Sequence, residues 1–217
     1  MHISEGVLSA PVLLTGAGLT AVGTAIGLKK IDYDQLPAVA LFASVFFVAS
    51  LIHVPLGPSS VHLILNGVCG LLLGWTAFPA ILVGLTLQAI LFQFGGLTVL
   101  GVNTFNVAFP AVLLGGVCRT CLYSDRSLAR TLCVFACGAC SVLLTAVCVA
   151  VCLTATGESF SSAAILVIMA HLPVAVIEGI MTAMCVEFLR KVRPEMLPTQ
   201  TAIRAKALGI GALFALR

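Results

Sequence analysis

Runs of apolar residues, most of them close to twenty long and separated by short polar turns, dictate what this chain can become. Crossing a bilayer core of about 30 Å takes about 20 helical residues, and unpaired backbone in hydrocarbon is so costly that only helices or closed barrels cross it. Hydrophobic residues make up 60% of the sequence and charged residues 9%, against roughly 25% charged in an ordinary soluble domain. The chain therefore reads as an all-α integral membrane protein, a bundle of about seven transmembrane helices within residues 1–193, followed by a tail at 194–217.

The first run, Ser9 to Leu28, is rich in Gly, Ala and Thr, the composition of a closely packed helix interface. A second, Gln35 to Ile52, ends at His53 and the broken stretch Val54 to Pro58, where proline and glycine forbid a continuous helix. A helix is expected to restart at Ser59 and run through His62 to about Trp75. A fourth run follows Pro79 to Phe94 and carries Gln88 and Gln93, expected to bond between helices. Gly95 to Asn106 reads as an apolar loop with amides and no charge. The remaining runs are Asn106 to Leu122, about Thr131 to Ala155, and Ser161 to Leu189. The tail holds only a short apolar piece, Ala207 to Leu216, too short to span.

The basic residues choose an orientation. With the N-terminus outside, Lys29, Lys30, Arg119, Arg126, Arg130, Arg190, Lys191, Arg193, Arg204, Lys206 and Arg217 all fall on the cytoplasmic side with the C-terminus, as the positive-inside rule requires. The cations form no continuous basic face, which argues against a nucleic-acid partner. The same orientation places His2, His53, His62 and His171 in the outer half. Residues 1–8 lack the basic start of a secretory signal, so the native N-terminus is expected to persist.

Histidine is the commonest metal ligand, and a polar group within a span is a functional candidate by default. A free α-amine at Met1, the backbone nitrogen of His2 and the His2 imidazole can close fused chelate rings around one cation. A further nitrogen from His62 completes a square-planar set suited to Ni(II) or Cu(II). A lone histidine is more often a cap or a packed, hydrogen-bonded side chain; segregation of all four to one side is what favours ligation.

Six cysteines, Cys133, Cys137, Cys140, Cys148, Cys152 and Cys185, lie inside apolar runs and read as small buried hydrophobes. Cys118-Arg-Thr-Cys121 has the C-x-x-C spacing, but no second pair matches it and no βαβ context surrounds it.

Met1-His2-Ile3 with Glu5-Gly6, Pro55-Leu-Gly-Pro-Ser-Ser-Val-His62, Gly101-Val-Asn103-Thr-Phe-Asn106 and Ala170-His171-Leu-Pro-Val-Ala-Val-Ile-Glu178-Gly together resemble the CbiM/NikM family, over most of residues 1–190. These are the substrate-binding membrane subunits of energy-coupling factor transporters for nickel and cobalt. The resemblance implies a seven-helix subunit whose outer N-terminus tucks inward to bind Ni2+ or Co2+ through the Met1 amine, the His2 amide and imidazole, and His62. It also implies partners: a pair of ATPase subunits, a transmembrane coupling subunit and often a small accessory membrane protein. Such a subunit is not an enzyme, holds no permanent cofactor, and sits in the cell membrane of a bacterium or archaeon.

Other candidates carry weaker readings. His53 suits a cap, an entry ligand or a partner that hydrogen-bonds to a ligand. Asn103 and Asn106, uncharged and poor nickel ligands, are expected to organise the loop over the site through bonds to backbone. His171 and Glu178 stand two helical turns apart on one face and favour a role in locking helices together. The sequence contains no G-x-x-x-x-G-K-S/T phosphate loop, so ATP hydrolysis must come from elsewhere. A membrane metallo-hydrolase would want carboxylate ligands and a general base near the metal, for which Glu5 and Glu178 are the only candidates, and no H-E-x-x-H motif is present. A self-contained channel or secondary transporter would favour inverted repeats, and seven unequal runs show none.

Overall fold

The computed structural model describes residues 2–198 apart from 52, 57 and 58, with the backbone alone at 53–56 and 59–61. Among the described residues lie seven α-helices and one short hairpin. In order they are α1 (Ala10–Leu28), α2 (Leu36–Ala49), β1 (His53–Leu56), β2 (Ser59–His62), α3 (Asn66–Leu73), α4 (Ala77–Phe92), α5 (Leu100–Cys118), α6 (Ser127–Thr156) and α7 (Ser161–Val192).

On the first helix large side chains point outward and small ones inward, the reverse of a helix in a soluble bundle. On α1 the buried residues are Gly16, Thr20, Gly23 and Gly27, while Leu14 is 74% exposed. The missing side chains let neighbours close in: a Cβ at Gly16 would strike Val102 of α5, and one at Gly27 would strike Pro79 of α4. Thr20 Oγ1 donates to the Gly101 carbonyl at 2.6 Å, fastening α1 to α5. The α3–α5 crossing is closer still, because Gly70 and Gly115 bring the two backbones together with no room for a methyl. Such contacts supply the van der Waals packing that must hold helices together where lipid is as apolar as the side chains.

Five stretches are long and apolar enough to cross a membrane: Ala10–Leu28, Asn66–Phe92, Leu100–Tyr123, Ser127–Thr156 and Glu158–Val192. The multi-pass membrane class is thereby supported, but the second and third expected spans differ. α2 has 14 residues and rises only about 21 Å. The expected helix from Ser59 to Trp75 is not formed: Ser59–His62 pairs antiparallel with His53–Leu56, His53 opposite His62. α3 begins at Asn66 and has eight residues, about 12 Å, before a 3-10 turn at Gly74–Thr76 carries the chain into α4. Helix starts at Ile64 and Leu65 are delayed because their amides are claimed by a carboxylate from α7, described below.

Polar atoms at the other end of α3 are satisfied by Arg119, whose Nε donates to the Leu71 carbonyl at 2.7 Å and whose Nη2 donates to that of Leu72 at 3.0 Å. Arg130 is buried, pairs with Glu187 at 2.8 Å and donates to the Ser124 carbonyl. Gln88 donates to the Phe47 carbonyl and to Ser50 Oγ, tying α4 to α2 as expected. Gln93 does not: it is exposed and ends α4 in the left-handed conformation at φ 59°. The cysteines also depart from expectation. Cys140 is exposed, and the Cys118-x-x-Cys121 pair has partners after all, since Cys121 bonds to Cys133 and Cys118 meets Cys137. The tail expected at 194–217 begins with a 3-10 turn at Pro194–Met196; its expected apolar piece at 207–216 lies outside the described residues.

Candidate metal-capture site

The N-terminal segment is inserted between the α4–α5 loop and the β2 strand end. Asn103, in the first turn of α5, accepts the Ile3 amide on Oδ1 at 2.9 Å and donates Nδ2 to the Ile3 carbonyl at 3.1 Å, acting as a side-chain mimic of a paired strand. The Glu5 amide donates to the Gly95 carbonyl at 3.0 Å. The Glu5 carboxylate accepts the Thr98 amide at 2.9 Å and the Thr98 hydroxyl at 3.2 Å, which holds its pKa below the usual carboxylate range even though it is exposed. Ser9 then donates to Thr156 Oγ1 at 3.3 Å, and α1 begins. Ile3 is fully buried, so the segment is anchored by burial as well as by bonds.

Gly95 and Gly96 make this insertion possible. Their φ values of +76° and +124° are ones that side-chain-bearing residues rarely adopt. A Cβ at Gly95 would lie 2.9 Å from Asn103 Nδ2 and 3.4 Å from His2 Cβ, and one at Gly96 would fall on the Glu5 side chain.

Insertion delivers His2 to His62. Both are buried, at 4% and 3% exposure, and their rings stand 4.6 Å apart, tilted by 31°. Phe94 flanks His2 at 6.3 Å. His62 Nδ1 lies 2.8 Å from the Leu63 carbonyl, so the ring is held as the tautomer with a proton on Nδ1 and a lone pair on Nε2. That Nε2 has no hydrogen-bond partner among the described residues. Burial pushes the His62 imidazole down to about 4, leaving it neutral near pH 7. A neutral buried ring with an open nitrogen, oriented by a carbonyl on the other side, is how proteins prepare a metal ligand.

The other candidates divide. Met1 lies outside the described residues, as does the His53 side chain. Asn103 bonds to backbone as expected, but from a helix and onto the N-terminal segment. Asn106 does not organise a loop: it is buried on α5 and contacts Cys152 Sγ of α6 at 3.6 Å. His171 is fully buried, its Nδ1 set 2.6 Å from the Val167 carbonyl of its own helix, and it lies within electrostatic reach of His62. Glu178 accepts the Ile64 amide and, at 3.0 Å on both oxygens, the Leu65 amide. It thereby caps the start of α3, the helix-locking role anticipated for it. Among the described residues no group of three or more His, Cys, Asp or Glu is placed to share one ion, so an ion held between His2 and His62 would need donors of another kind, such as an amine or a backbone nitrogen. The roles of Glu5, Thr98, Gly95 and Gly96 were not anticipated; the only sequence signal was a Gly-Gly pair in an apolar, uncharged loop.

Residues 2–196 match the family model for the cobalt uptake substrate-specific transmembrane region. A Haemophilus influenzae protein named for metal transport is 43% identical, the alignment covering 91% of this chain and 97% of that one. The fused nickel transport protein NikMN of Rhodobacter capsulatus is 38% identical over half of this chain and a third of its own length. A crystal structure described as a truncated transition metal transporter superposes with a TM-score of 0.69 at 26% identity, covering 88% of this chain and 99% of that one.

Proposed function

Because the chain belongs to the cobalt uptake substrate-specific transmembrane family, a family of membrane transport proteins and not of enzymes, we propose that it is the ion-capturing subunit of an ATP-driven importer for Ni2+ or Co2+. The observation that carries this reading is the burial of His2 against His62 at 4.6 Å between ring centres, reached only by threading the N-terminal segment under the Gly95–Gly96 turn. In this reading the Met1 amine, the His2 amide nitrogen and the His2 imidazole wrap the cargo ion, and His62 supplies the fourth nitrogen. Deprotonation of a backbone amide by the ion rejects hard cations such as Ca2+, while Ni2+ and Co2+ both accept the nitrogen set. Asn103 and Glu5 position the segment and do not touch the ion.

Importing against a gradient needs energy the chain does not supply, so a pair of ATPase subunits and a transmembrane coupling subunit of the energy-coupling factor type are its proposed partners, in the cell membrane of a bacterium or archaeon. Positive residues favour the N-terminus outside and the C-terminus inside. Release follows when the partners draw the N-terminal segment out, because that motion removes most ligands at once.

Equilibrium metal binding by the purified chain with its native N-terminus tests the reading. His2→Ala, His62→Ala and one alanine inserted before His2 are each expected to weaken binding by about 100-fold or more, beyond the 10–100-fold typical of residues behind the ligands. Retained affinity in the insertion variant would remove the terminal amine from the site and force a rebuilding around His62 and His171.

A further inference from the structure

We propose that the α5–α6 connection carries a reversible thiol–disulfide site, the Cys121–Cys133 pair, which exchanges two electrons with a dithiol. It goes beyond the metal-capture reading and does not rest on it. Cys121 sits on the 3-10 turn Arg119–Tyr123 and Cys133 in the second turn of α6, with Cα atoms 6.4 Å apart and the sulfurs bonded. Cys118 and Cys137 make a second rung one turn further in, thiol to thiol. Spacings of three and four residues put each pair on one face of its element. The two C-x-x-C and C-x-x-x-C segments therefore meet as a ladder of four sulfurs.

The rungs are not equivalent. Cys121 and Cys133 are half-buried, whereas Cys118 and Cys137 are buried. A reductant can reach the outer rung and not the inner one. Metal ligation is the competing use of four cysteines, but no three ligating groups are placed to share an ion among the described residues.

The surroundings argue for exchange over a permanent staple. Arg119, Arg126, Arg130 and Arg190 crowd this end of the bundle, the side that the positive-inside rule assigns to the cytoplasm. Disulfides in that compartment are characteristically transient and redox-sensing, and accessible ones are the labile ones. On reduction the Cys121–Cys133 bond breaks, each sulfur takes one electron and one proton, and the two thiols of the reductant give them up and close a disulfide. The segment released is the one whose Arg119 caps α3 through the Leu71 and Leu72 carbonyls, so the redox state changes how firmly that cap is held.

The full chain in lipid nanodiscs, equilibrated in buffers of reduced and oxidised dithiothreitol, acid-quenched, freed of dithiothreitol, unfolded in denaturant, alkylated at neutral pH with N-ethylmaleimide and weighed intact, tests this. Nine adducts are expected when reduced and seven when oxidised, in one two-electron transition that reverses, with the two lost adducts mapping to Cys121 and Cys133. Amide exchange across residues 119–126 is expected to be faster in the nine-adduct form. Cys133→Ser and Cys133→Ala should both leave Cys121 alkylated in every buffer. Nine adducts throughout, seven throughout, or a bridge mapping to other cysteines would each overturn the proposal.

Discussion

Asn103 shows how one side chain can hold a chain end in place. Its amide makes both bonds that a neighbouring strand would make to Ile3, and it does so from the start of a helix. Asn103→Ala leaves the Ile3 amide and carbonyl buried without partners and lets His2 drift from His62. Metal affinity is expected to fall about 10–100-fold, read by competition titration, while Asn106→Ala, which loses only a long contact to sulfur, should stay within a few-fold; equal losses would show that the clamp is not what sets affinity. Glu5 adds a pH-dependent hold. Its folded pKa lies below the ordinary value of 4.5 because Thr98 bonds the ionised form, so its contribution is complete above that value and disappears as the pH falls through the lower folded one. The melting temperature of the metal-free chain should exceed that of Glu5→Gln slightly at pH 7, and the gap should close in more acid buffer. Histidines and amides were legible as candidates because their types announce chemistry; the Gly95–Gly96 cradle was not, because its meaning lies in what approaches it from 90 residues away in the chain.

Among the elements, the α2–α3 connection shows where reading by pattern fails. A serine pair ahead of an apolar run looks like a helix start, and Ser59 was expected to cap one. Glu178 overrides that local signal from 114 residues away in sequence, binding the Ile64 and Leu65 amides so that the helix begins only at Asn66 and His62 is left on extended backbone facing the N-terminal segment. Leu65 at φ 51° is part of the same turn. The long helices were legible from hydropathy because lipid imposes one rule on every span, whereas this broken stretch answers to a carboxylate that no window of sequence contains. Glu178→Ala removes the acceptor of two buried amides, each costing about 1–3 kcal/mol when orphaned, so a loss of roughly 2–6 kcal/mol is expected in detergent unfolding. Glu178→Gln keeps one acceptor oxygen and should lose less than half as much. If alanine and glutamine behave alike and mildly, the cap does not determine where α3 starts.

At the scale of the whole molecule, the two kinds of polar chemistry sit at opposite ends. α4 runs from the Gly74–Thr76 turn, where Lys30 lies 5.2 Å from the Trp75 ring and Arg119 touches Gly74, to Phe94 beside His2. α5 runs the opposite way, from Asn103 at the capture site to Arg119. Helices of 16 and 19 residues separate the two ends by about 24–28 Å, close to the thickness of a bilayer core. A buried imidazole pair on one side and cations on the other, with Gly67, Gly138 and Thr182 in close contact inside the bundle, fit the proposed capture of an ion from one face. In the proposed reading, an ion bound by His2 and His62 leaves inward when the assembly moves the subunit or unthreads its N-terminus. Proteoliposomes holding this chain alone should bind Ni2+ or Co2+ with no accumulation of free ion inside, and accumulation should require ATPase and coupling subunits with ATP. Flux through the chain by itself, saturating and sensitive to His62→Ala, would instead make it a self-sufficient carrier whose packed interior opens without help.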